Sequence, residues 1–130
     1  MRITDSVLDF IYKEMWKYSI QIGISERELP NLIFTKKEVL GIPQTVGRRN
    51  TRRYRGVFYQ EINTIFLNVK MFDKRERLRH TIIHELVHKR FPYMSHGPEF
   101  EKRIKQIRNG KAFDPYKPKN KSAEKERIFD

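Results

Sequence analysis

Three histidines and one glutamate carry the chemistry that can be read from this chain. His84-Glu85-Leu86-Val87-His88 has the pattern H-E-x-x-H, and His96 follows eight residues after His88. Residues four apart share a helix face, so His84 and His88 can aim both imidazoles at one cation. Glu85 stands about 100° round the helix from His84. It would lie beside the cation without binding it, where a carboxylate can take a proton from water. Leu86 and Val87 face inward and would fix the helix to a core. A catalytic zinc takes three protein ligands and keeps one position for solvent. His96, just before Gly97-Pro98, is the third candidate, and Glu99 and Glu101 are its rivals, Glu99 the better placed.

His80 forms a second i,i+4 pair with His84, but Thr81 stands where the base would be. His80 and His88 are about 12 Å apart along a helix axis, so one ion cannot take all three histidines. His80 is therefore read as a solvated residue at the rim. Tyr93, near the site in sequence, is read as a core aromatic in preference to an oxyanion partner.

The elements that must hold these residues follow from pattern. Val7, Leu8, Ile11, Met15, Tyr18 and Ile22 recur at three- and four-residue intervals, which predicts a helix over 5–22, capped by Asp5 and ended by Gly23. Leu32-Ile33-Phe34 after Pro30 reads as a strand. Residues 41–56, with four glycines and prolines among arginines, read as a long loop. Val57–Gln60 and Ile65–Val69, rich in apolar, aromatic and β-branched residues, read as a hairpin. Asp73 and Glu76 have capping-box spacing for the helix that carries the motif, and Pro92 closes it. Gly97-Pro98 opens a last helix with Phe100, Ile104 and Ile107 inside, ended by Gly110. The strand Ile65–Val69 either offers a backbone edge to an extended peptide or is an ordinary sheet strand, and the sequence leaves both open.

The chain has 130 residues, 38% hydrophobic and 34% charged. That suits one domain with a thin core, placed at residues 1–110, followed by a basic, polar, flexible tail at 111–130. There is no cysteine, which excludes disulfides and any thiolate zinc site. The N-terminus lacks the apolar stretch of a signal peptide, and no run approaches the roughly 18 apolar residues of a membrane span. A soluble, cytoplasmic or nucleoid-associated monomer is expected. Lys plus Arg is 28 against 16 for Asp plus Glu, a formal charge of +12, which favours polyanionic partners. Arg48, Arg49, Arg52, Arg53 and Arg55 concentrate that charge and are the candidate nucleic-acid contacts.

A hairpin ending in Ile-Phe-Leu-Asn, then His84-Glu85-Leu86-Val87-His88, then His96-Gly97-Pro98-Glu99-Phe100, resembles the SprT-like zinc metalloproteases of the zincin fold. The likeness covers about residues 30–108. Short relatives of the YgjP and WLM type and the minigluzincins are near alternatives, and the last would favour a glutamate as third ligand. The resemblance implies one Zn²⁺ on His84, His88 and His96, with Glu85 as catalytic base. It implies an α+β domain: an N-terminal helix, a small twisted and mainly antiparallel sheet, the motif helix and a C-terminal helix. It also implies a peptidase acting on proteins, some of them bound or crosslinked to DNA. The link from His88 to His96 is shorter than in many members. The C-terminal zinc ribbon of bacterial members is missing, so any DNA contact falls to the arginine loop or the tail. A metal-dependent nuclease and a non-enzymatic nucleic-acid-binding module with structural zinc are the rival readings.

Overall fold

The structure is a computed structural model that describes residues 1–44, 46 and 53–117. Among them the chain is α+β: helices α1 (Asp5–Gln21), α2 (Lys36–Leu40), α3 (Arg75–Arg90) and α4 (Pro98–Arg108), with strands β1 (Asn31–Ile33), β2 (Gly56–Tyr59) and β3 (Thr64–Leu67). No helix among the described residues is long and apolar enough to cross a membrane.

The strand order is β1-β3-β2. β2 and β3 form the expected antiparallel hairpin, with Val57 opposite Phe66 and Tyr59 opposite Thr64. β1 runs parallel to β3, Leu32 opposite Ile65, so the sheet is mixed. Of the two readings of Ile65–Val69, the ordinary sheet strand is the one found. β3, the strand before the motif helix, is central and hydrogen-bonded on both sides. The edge beside the helices belongs to β2.

Both faces of the hairpin are covered, which explains why its strands read as continuous apolar runs. Phe58, Ile65 and Leu67 point into the main core with Ile11, Met15 and Tyr18 of α1, Leu78, Ile82 and Leu86 of α3, and Phe100, Ile104 and Ile107 of α4. Val57, Tyr59 and Phe66 point the other way, onto Val39, Ile42 and Val46. α2, not foreseen from the sequence, covers that second face. It is held by a capping box in which Thr35 Oγ1 accepts from the Glu38 amide at 3.2 Å and Glu38 accepts from the Thr35 amide at 3.1 Å.

Two expected caps are replaced. Thr4, not Asp5, caps α1, its hydroxyl accepting from the Val7 amide. α3 begins after Lys74 without a side-chain cap. Glu76, expected to close a capping box there, is drawn away by two cations. It accepts from Arg79 and, at 2.6 Å, from Arg108 of α4. Arg79 also donates to both carboxylate oxygens of Glu14, at 3.1 and 3.2 Å. One acidic group thus ties α3 to α4 and one arginine ties α3 to α1.

Residues 111–117 lie along the end of α1. The Phe113 amide donates to the Gln21 carbonyl and the Tyr116 amide to the Gly23 carbonyl. The Asp114 carbonyl oxygen sits 2.2 Å from where a Cβ on Gly23 would stand, and Gly23 has φ +84°. Only glycine allows both that turn and that contact. Residues 118–130, the remainder of the expected tail, lie outside the described residues.

Candidate metal centre

α3 presents His84 and His88 on one face, and the turn after Arg90 brings His96 back to them. The ligand-capable atoms of His84, His88 and His96 all lie within 4.8 Å of one another. His96 Nε2 is 2.9 Å from His88 Nε2. Phe100, fully buried in the first turn of α4, packs its ring against all three imidazoles at centroid distances of 4.7, 4.7 and 5.0 Å, tilted to His84 and His88 and edge-on to His96. It forms the apolar floor on which the rings stand. Pro98 starts α4 directly behind His96, so helix packing through Phe100, Ile104 and Ile107 fixes where that loop histidine lies.

The three rings differ in exposure. His88 is buried, His84 half-buried and His96 exposed. Burial, aided by the neighbouring His84 and His96, holds the His88 pKa down to about 2. Burial also lowers that of His96, with a further contribution from His84. Both are therefore neutral at neutral pH, the form that offers a lone pair to a metal.

Glu85 has 0% exposure, and among the described residues neither of its carboxylate oxygens meets a hydrogen-bond donor. A buried carboxylate in that state is costly unless a ligand supplies the missing donors. Its position depends on a glycine that the sequence pattern places at the end of the 41–56 loop. Gly56, at the start of β2, faces α3, and a Cβ on it would stand 3.3 Å from the Glu85 carboxyl carbon and 3.0 Å from Thr81 Cγ2. The usable signal was a glycine opening an otherwise bulky strand, which marks the close approach of another group.

A site of three imidazoles, with an orphaned carboxylate beside it, fits a divalent cation of the zinc type. Glu99, the favoured rival ligand, belongs to no group of metal-capable side chains among the described residues, whereas Glu101 lies within 4.8 Å of His80 and His84. Tyr93 is 78% exposed, not in the core as expected. The turn 91–95 points it to solvent, while Phe91 takes the interior position. Of the arginine cluster, Arg53 and Arg55 are exposed just before β2, and Arg48, Arg49 and Arg52 lie outside the described residues.

A sequence model of the SprT-like family matches residues 16–122. No curated protein and no solved structure matches the chain.

Proposed function

The chain belongs to the SprT-like family, and on that premise we propose that it is a zinc-dependent endopeptidase acting on proteins associated with DNA. The observation that carries this reading is the pairing of the three-imidazole cluster with the buried, unsatisfied carboxylate of Glu85. A structural zinc site is closed by a fourth ligand, and it has no use for a carboxylate left without donors.

His84, His88 and His96 would hold the ion. A zinc ion held there would supply a Lewis acid for the scissile carbonyl and for a water at the site. Glu85 takes a proton from that water and returns it to the departing amine. Gly56 and Thr81 bound the space in which its carboxylate moves. Phe100 keeps bulk water from the underside of the rings. An extended substrate can add to an edge of the sheet, whose edge strands are β1 and β2. The formal charge of +12, with Arg53 and Arg55 exposed beside β2, supports a polyanion near the substrate.

The test is digestion by the zinc-loaded chain of casein, of a protein crosslinked to DNA, and of a labelled oligonucleotide. Protein cleavage with the oligonucleotide intact is the expected result. Cleavage of the oligonucleotide alone would transfer the site to phosphodiester chemistry. Intact substrates from a protein holding stoichiometric zinc would leave a structural ion.

A further inference from the structure

His80, His84 and Glu101 form a second constellation. Their ligand-capable atoms also lie within 4.8 Å of one another. Two imidazoles and a carboxylate are a complete donor set for a divalent cation. The group opens on a cavity of about 440 Å³ with His80 and Glu101 in its wall, so an ion can reach it from solvent. The sequence shows why these residues meet. His80 is one turn before His84 on α3, and Glu101 is one turn into α4, on the side turned to α3.

The two constellations share His84. A neutral imidazole has a single free lone pair, the other nitrogen bearing a proton. His84 can therefore serve one ion at a time. We propose that His80 and Glu101, with His84, make a second, weaker and exchangeable divalent-cation site that competes with the His88–His96 centre for His84.

The order of filling follows from the surroundings. The first centre has three imidazoles, one of them buried, on an apolar floor. The second is more open, and Lys102, Lys105 and Arg108 line the same cavity. Their positive charge repels a cation, which weakens the second site without removing its donors. At low zinc the first centre holds the ion alone. At higher zinc a second ion on His80 and Glu101 draws His84 away and leaves the first ion with two imidazoles. Loss of one ligand loosens that ion, so excess metal speeds its release. Run in reverse, the same steps load the buried centre from the open cavity.

This inference rests on the zinc reading above but not on peptidase activity, and its test reads metal alone. The full chain is loaded with one equivalent of labelled zinc and chased with rising unlabelled zinc. In the wild type, release should rise with the chase concentration and level off at least about tenfold above its starting rate, the scale of effect for loss of one supporting interaction at a metal site. In His80→Ala and Glu101→Gln, release should stay flat, while each variant still binds one equivalent. The same concentration dependence in all three proteins would overturn the second site and leave the peptidase reading standing. A wild type that binds no zinc would overturn both. Should His80→Ala unfold, Glu101→Gln, changed at an exposed side chain, decides the matter alone.

Discussion

Gly56 of β2 and Glu85 of α3 occupy one space: a Cβ on the glycine would stand 3.3 Å from the glutamate's carboxyl carbon. The strand gives up a side chain so that the carboxylate can lie between sheet and helix. Gly56→Ala should push Glu85 from its place while leaving the three imidazoles where they are. The expected result is a fall in kcat/KM of about tenfold to a hundredfold, the scale associated with misplacing a reacting group by about 1 Å. Zinc affinity should hardly change, and overpacking against Thr81 should destabilise the fold by about 1 kcal/mol. Equal losses of affinity and turnover would show that the glycine serves the whole centre and not the base.

Glu85→Gln separates chemistry from metal binding. Turnover should drop by roughly 10²- to 10⁴-fold, the contribution of a positioned acid or base, with one zinc still bound. The metal-free variant should be at least as stable as metal-free wild type, because an amide is less costly to bury without partners than a carboxylate. Thermal unfolding in chelator checks the second point. A Glu85→Gln protein with full activity would remove the proposed base.

The ligand set is tested by zinc stoichiometry. His84→Ala, His88→Ala and His96→Ala should each weaken zinc binding by well over tenfold, and Glu99→Gln should not. His96 is exposed and His88 buried, so His96→Ala should lose metal without losing the fold. If His96→Ala bound zinc as tightly as wild type, the third ligand would have to be sought among the acidic residues of α4.

Much of this centre was legible in the sequence, because an i,i+4 helical pair and a proline-started helix are local features. The limits of α1 and α4 and the hairpin were legible for the same reason. What sequence did not give came from distance. Thr35 and Glu38 have the same spacing as Asp73 and Glu76, yet only the first pair makes a capping box. Glu76 meets Arg108 from another helix, and an ion pair across the fold outcompetes a local cap. The parallel pairing of β1 with β3 joins segments over thirty residues apart, and no local pattern encodes it. Because of that pairing β3 is central, and β1 and β2 are the edge strands. His80 looked like a solvated side chain because its neighbour Glu101 comes from α4.

The metal-free protein should weaken in acid. Burial keeps the folded His88 from taking a proton until about pH 2, whereas the unfolded residue titrates near its ordinary value of about 6.5. Below that value the unfolded chain binds a proton that the folded chain refuses, so stability is full above pH 6.5 and declines as pH falls. From this side chain alone the slope is about 1.4 kcal/mol per pH unit. Burial lowers the pKa of His80 and His96 as well, and both act in the same direction. Thermal unfolding of chelator-treated protein between pH 7 and 5 should show the decline, and His88→Leu should show less of it. An unchanged slope in that variant would assign the acid sensitivity to other groups.

Phe100 lies 4.7 Å, ring centroid to centroid, from both His84 and His88 and 5.0 Å from His96. A core residue and a wall of the metal centre would both be fully buried, so burial alone does not tell them apart. Phe100→Leu does. A leucine fills most of the volume, and the fold should lose about 1 kcal/mol or a little more. Leucine has no ring to pack against the three imidazoles, so they gain freedom and water reaches their underside. Zinc affinity should then fall about tenfold, as it does when the groups that orient ligands are altered. The comparison is with Ile107→Val, an equally buried change on the same face of α4, about two turns further from the rings. That variant should lower the unfolding temperature without touching zinc affinity. If both variants lost stability and neither lost affinity, Phe100 would be core and nothing more, and the orientation of the three histidines would rest on the helices alone.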